Sequence, residues 1–250
     1  MALIQEISPD ATKATTKLLS VLSTLSPAEK SELNIFPLGF LAPYLKVQHA
    51  RHKNAVAEEM AVRLIEAVYD AGLAPTINKP DAKSGEYPIV VCVQYDWRKA
   101  IRMLLVDTEG GGRAESGRGE GKGGVARSVS LAVHNTKPPF HSPIVAAIRQ
   151  NNSSLALQLL SFACRHGEAR EVFAIGGGEW TAGIGGGGVT SCLEQAFRSL
   201  DRVVALAMRD MGAKLSDAAF RRLYANRKAR LERHRVHRLL FQLRLVPSYR

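Results

Sequence analysis

One seven-residue phrase occurs three times in this chain. It reads Tyr87-Pro88-Ile89-Val90-Val91-Cys92-Val93, then Ser142-Pro143-Ile144-Val145-Ala146-Ala147-Ile148, then Ser191-Cys192-Leu193-Glu194-Gln195-Ala196-Phe197. About a dozen residues after each copy comes a second apolar run, at 101–105, 155–160 and 203–208. A short apolar helix, a turn and a second helix cannot bury their own apolar faces. Units of this kind are stable only when stacked on one another. The recurrence therefore predicts an all-α stack of helix pairs, and it points to a binding scaffold.

The composition agrees. Hydrophobic residues make up 46% of the 250, but aromatics only 6%, which suits close-packed helices better than a β-sandwich. No stretch approaches the roughly 18 consecutive apolar residues of a membrane span. The first 13 residues lack a basic patch leading into an apolar run, so no signal peptide is expected. The three cysteines, Cys92, Cys164 and Cys192, read as small buried hydrophobes in a reducing compartment. A cytoplasmic or nuclear location is the matching expectation.

Local signals place the helices. Ser8-Pro9 opens a first helix whose face carries Ala11, Ala14, Leu18, Leu22 and Leu25. Ser26-Pro27-Ala28-Glu29 is a capping box for a short second helix. Residues 34–48 contain Pro37 and Pro43, so a helix there should be short or kinked. Asn54 is expected to cap a long helix with Val56, Met60, Leu64, Val68 and Ala71 on its stripe, stopped by Gly72. Residues 73–86 read as a loop.

Two glycine tracts separate the phrases. Residues 109–124 and 175–188 hold eight glycines each, 16 of the chain's 21. Pro88 to Pro143 spans 55 residues and Pro143 to Cys192 spans 49. These spacings match no solenoid period directly, and the glycine tracts with their flanks read as loops inserted between the units. Lengthening a loop in this way costs only about 1–1.5 kcal/mol in closure entropy.

That unit resembles the ankyrin repeat family. Gly85, Pro88, Ile89, Cys92, Val93, Ala100, Leu104 and Leu105 follow the family's order. So do Pro143, Ile144, Ala146, Ala147, Leu155, Leu159 and Leu160, and then Leu193, Ala196, Val204, Met208 and the closing Gly212-Ala213. The stretch from Met60 through Gly72-Leu73-Ala74 to Asn78 resembles the second helix and exit of an earlier unit. The family's histidine is replaced by Val90, Val145 and Glu194, and its threonine by Tyr87, Ser142 and Ser191. Its inter-helix glycine is replaced by Asp96, Asn151 and Leu200. Asp and Asn tolerate left-handed backbone, whereas Leu costs about 1 kcal/mol or more there, so the third unit is expected to turn differently. The resemblance implies an ankyrin-like solenoid of about three to four helix pairs across residues 34–215. Helical end caps would lie at 1–33 and 216–250. It also implies partner contacts from the inner helices and loop tips, with Gln94, Tyr95, Arg149, Gln150 and Arg198 as the candidates.

Other motifs carry less. The run Gly183-Ile184-Gly185-Gly186-Gly187-Gly188 satisfies a dinucleotide-binding spacing, but the fingerprint needs a strand running into its first glycine. The nearest candidate strand, 172–175, lies too far back. His49/His52 and His234/His237 are spaced for one helix face but have no third ligand nearby. No cofactor, metal or catalytic group is expected, and the chain reads as a non-enzyme.

The net charge of +11 is concentrated at one end. Residues 216–250 carry ten basic side chains against Asp217 and Glu232, a surplus of eight. Arg221, Arg222, Arg227, Lys228, Arg230, Arg233 and Arg235 are the core of this basic tail. Phe220, Leu223, Tyr224 and Leu231 share a helical face that is expected to pack on the last repeat. The tail is the candidate contact for an acidic partner, an anionic surface or nucleic acid. The leading expectation is a non-catalytic scaffold for another protein, with a tail-borne nucleic-acid or anionic-surface binder as the alternative.

Overall fold

The computed structural model describes residues 11–51, 53–105, 129–137, 141–175, 191–215 and 238–239. These residues are helical with no strands, apart from a lone parallel bridge between Gly39 and Asp81. The chain divides into two compact units, Met1–Val129 and Ser130–Arg250.

In the first unit the helices are α1 (Ala11–Thr24), α2 (Pro27–Ile35), α3 (Leu41–Arg51), α4 (Asn54–Asp70), α5 (Pro88–Gln94) and α6 (Arg98–Leu104). A 3-10 turn, Ala74–Asn78, lies within the expected loop and buries Thr76 and Ile77. Helices α3 and α4 form one antiparallel couple and α5 and α6 the next. The first members pack on each other, α3 on α5, and so do the second members, α4 on α6. Helix α1 covers α3 and α4 with Leu18 and Leu22.

The capping box of α2 is complete. Ser26 Oγ accepts from Glu29 N at 3.3 Å, and Glu29 Oε2 accepts from Ser26 Oγ at 2.7 Å and Ser26 N at 2.8 Å. These bonds hold the Glu29 carboxyl below its usual range. At the other end of α2, Lys79 Nζ donates to the carbonyls of Leu33 (3.2 Å), Asn34 (2.6 Å) and Phe36. One ammonium thus satisfies three carbonyls that a helix end leaves open. Close by, Gly39 N donates to Pro80 O at 2.9 Å, and a Cβ at residue 39 would lie 2.6 Å from Lys79 O.

Two expectations change here. Helix α3 runs eleven residues through Pro43. Pro43 is its third residue, where the missing N–H has no intrahelical partner to lose, so the proline does not break it. In α4 the buried stripe is Ala57, Ala61, Leu64, Ile65 and Val68, while Val56 is 50% exposed. The core-facing arc therefore centres on the small residues beside the stripe expected from the sequence.

In the second unit the helices are α7 (Pro143–Arg149), α8 (Ser153–Arg165), α9 (Ala169–Ala174), α10 (Cys192–Arg198) and α11 (Arg202–Asp210). The arrangement repeats: α7 with α8, α10 with α11, α7 on α10 and α8 on α11. Helix α9 contacts α8 and α10 and buries Val172. The candidate strand at 172–175 is thus mostly helix. Its Val and Phe follow Glu168-Ala169-Arg170-Glu171, which already supplies a helical turn.

The three phrases form three helices of equal length. Helices α5, α7 and α10 each have seven residues, with the first six buried and only the last one outside the core. Each ends in the same turn. Asp96, Asn151 and Leu200 have φ of 52°, 56° and 56°. The following amide in each case bonds back to the carbonyl five residues earlier: Trp97 to Cys92 (3.0 Å), Asn152 to Ala147 (3.0 Å) and Asp201 to Ala196 (2.9 Å). This is the Schellman closure. The turn after the third phrase is therefore like the other two, against expectation. The closure and the buried helix impose the left-handed conformation on Leu200, and its intrinsic cost of about 1–2 kcal/mol is absorbed by the packing. Helices α4, α8 and α11 end in the same closure at Gly72, Gly167 and Gly212.

Candidate functional site

The five candidate contact residues sit at equivalent places. Gln94, Arg149 and Arg198 are the last residues of α5, α7 and α10, and Tyr95 and Gln150 are the C-caps that follow. Arg149, Gln150 and Arg198 are exposed, and Gln94 and Tyr95 are half-buried.

In the first unit this end is an aromatic joint. The Tyr95 ring stacks on His49 with centroids 3.7 Å apart and planes 13° from parallel, and Trp97 lies 5.1 Å from Tyr95. Burial pushes the Tyr95 hydroxyl pKa up. Asn54 Oδ1 accepts from Trp97 Nε1 at 2.7 Å, and Asn54 Nδ2 donates to Tyr95 O at 3.4 Å. The expected capping role of Asn54 is thus replaced. It is the first residue of α4, Lys53 is the N-cap, and no side chain caps that end. Its amide binds the neighbouring couple instead, since a side chain at that position can reach α6 as easily as its own first turn. Glu58 extends the joint by accepting from Lys99 N at 2.5 Å, which caps α6 from outside. Lys46 Nζ of α3 pairs at 2.6 Å with the buried carboxylate of Glu86, in the segment leading into α5.

In the second unit the joints are smaller. Ser142 and Ser191 cap α7 and α10, accepting from Val145 N and Glu194 N at 3.2 Å each. Tyr87, at the equivalent place before α5, makes no side-chain cap. Ser142 Oγ lies 3.5 Å from Cys192 Sγ, which brings the two helix starts together. At the opposite end, Ser153 Oγ donates to Asp201 Oδ2 at 2.6 Å, while Asp201 Oδ1 accepts from Val204 N at 3.1 Å. The α7–α8 and α10–α11 turns are therefore clamped side by side, with Arg149-Gln150 on one and Arg198 on the other. Arg198 pairs with the fully buried Glu194 at 2.7 Å. The Arg149 guanidinium abuts the His141 ring.

The cysteines divide. Cys92 and Cys192 are buried, with thiols pushed up by burial, that of Cys192 to about 11. Neither has thiolate character at neutral pH. Cys164 is exposed, unlike the buried role expected of it, because it falls on the outward side of α8 beside the buried pair Phe162 and Ala163.

The basic-tail residues Arg221, Arg222, Arg227, Lys228, Arg230, Arg233 and Arg235 lie outside the described residues, as do His52, His234, His237 and both glycine-tract cores. Of the tail, only Arg238 and Leu239 are described, as helix, with Leu239 buried. Among the described residues no group of three or more His, Cys, Asp or Glu is placed to hold a metal ion. No helix among them is long and apolar enough to cross a membrane.

Sequence reasoning missed the residues that join the couples. Asp201 before Arg202-Val203 carried an N-cap signal. The Asn54–Trp97 and Glu58–Lys99 contacts span 43 and 41 positions, and nothing local announces them. Comparison of the chain with protein families, curated proteins and solved structures finds no match.

Proposed function

We propose that this chain is a non-catalytic scaffold built on ankyrin-like repeats, and that it binds another protein. The observation that carries the reading is the threefold recurrence of one unit. A seven-residue buried helix, a left-handed closing turn and a second helix recur, with first members packed on first and second on second inside each unit. Such units add interface rather than a pocket, and burying each Leu, Val or Met at the shared face contributes about 1.5–3 kcal/mol. The inner helices leave only their last residue and cap outside the core, so contacts would gather at the turns bearing Gln94, Tyr95, Arg149, Gln150 and Arg198.

A second reading is favoured by the charge distribution. The surplus of eight positive charges in residues 216–250 suits nucleic acid or an anionic surface. Capture experiments at two salt concentrations, with the full chain and a chain ending before Arg221, separate the two. A protein partner held by the repeats is retained by both chains and at high salt. Retention that disappears with the tail and falls steeply with salt assigns the activity to the tail instead.

A further inference from the structure

The third turn departs from its siblings in two places, and both departures put an apolar side chain into solvent. Where the first two turns have Asp96 and Asn151 the third has Leu200, left-handed at φ 56° and 37% exposed. At the second residue of the following helix the siblings are Lys99 and Ser154, whereas α11 has Val203, 59% exposed. Leu200 is unfavourable twice over: its backbone region suits Gly, Asn or Asp, and its side chain gains little burial. The fold alone would be better served by the residues its siblings use.

The same turn is ringed by arginines. Arg198 and Arg202 flank Leu200 and are exposed. The Ser153–Asp201 bond clamps the neighbouring turn, with Arg149 and Gln150, alongside. Arg198 is matched by Glu194. Arg149 meets His141, a group that brings no negative charge to it. The patch thus combines an apolar centre with guanidinium groups suited to bidentate pairing with carboxylates.

Resting on the scaffold reading above, we infer that the paired α7–α8 and α10–α11 turns form a docking patch for an acidic peptide segment of a partner protein. An aliphatic or aromatic side chain of that segment would cover Leu200 and Val203, and its carboxylates would pair with Arg149, Arg198 and Arg202. Charge complementarity selects this occupant. A basic segment would face three exposed arginines, and a purely apolar one would offer them no carboxylate.

The test pans a displayed library of random 16-residue peptides on the full chain, then measures recovered peptides by fluorescence anisotropy. Expected are sequences rich in Asp and Glu around Leu, Ile or Phe. Their affinity falls about tenfold in Leu200→Asn and about a hundredfold in Arg149→Glu/Arg202→Glu. The informative variant is Leu200→Asn, which should raise thermal stability while it weakens binding, a combination that a purely structural Leu200 does not produce. Neutral or basic peptides, no recovered peptide, or acidic peptides indifferent to Leu200→Asn each overturn the patch. Peptides that lose affinity on Tyr95→Ala but not on these variants overturn it and leave the scaffold reading standing. Failure to recover any binder counts against both.

Discussion

The two units join their helix couples by different chemistry. In the first, the joint at the end of the inner helices is large and aromatic: His49 on Tyr95, Tyr95 against Trp97, with Asn54 bonded to both the Trp97 ring and the Tyr95 carbonyl. In the second, hydroxyl, carboxylate and thiol groups make it: Ser153 to Asp201 at one end, Ser142 to Cys192 at the other. The turn geometry is the same in both. The backbone closure therefore defines the couple, and different side chains fasten one couple to the next inside each unit. The joint of the first unit should draw its strength from burial and that of the second from hydrogen bonding, while both units keep an apolar core.

The sharpest way to break that contrast is Trp97→Ala. Trp97 is fully buried, and its removal should cost about 3–5 kcal/mol, read as a fall in the urea midpoint. A smaller loss would mean that the aromatic joint is incidental. Next comes Asn54→Ala, which leaves the Trp97 N–H without its acceptor and should cost about 1–3 kcal/mol by the same measurement. Its counterpart Asp201→Ala removes a cap and a clamp together and should cost about 1–2 kcal/mol. Equal losses at the two would say that the joints differ in chemistry but not in strength.

The smallest expected effect is a pH dependence. Burial pulls the pKa of the half-buried His134 down. The folded state therefore holds its proton less tightly than the unfolded one. The stability from neutral His134 is fully present above its unfolded pKa, near 6.5, and is lost as pH falls through the folded value. Thermal melts between pH 7.5 and 5 should show this decline, and His134→Gln should flatten it.

Much of the local architecture was legible in the sequence because its causes are local. Pro at a helix start, the Ser26 and Glu29 reciprocal bonds, and Gly72 as a left-handed stop each depend on neighbours within four residues. The Asp96 and Asn151 turns could be anticipated because those residues tolerate positive φ. The Leu200 turn could not, since there the tertiary packing overrules the residue's own preference. Val56 was misread for a related reason: a helix touched by α1, α3 and α6 turns its smallest residues, Ala57 and Ala61, toward its neighbours to allow close approach. The ends of the inner helices were legible as positions, because the ends of the repeated phrase fall on them. What joins those ends was not, because Asn54 and Trp97, or Ser153 and Asp201, meet only after folding.

The seven-residue length of α5, α7 and α10 has a consequence for how such a chain can grow. Two helical turns have no standing in water by themselves, so half a repeat added by duplication would leave six core-type side chains without a home. A stack of this kind is therefore lengthened most cheaply by complete couples, and a stretch of sequence inserted between couples is spared that constraint.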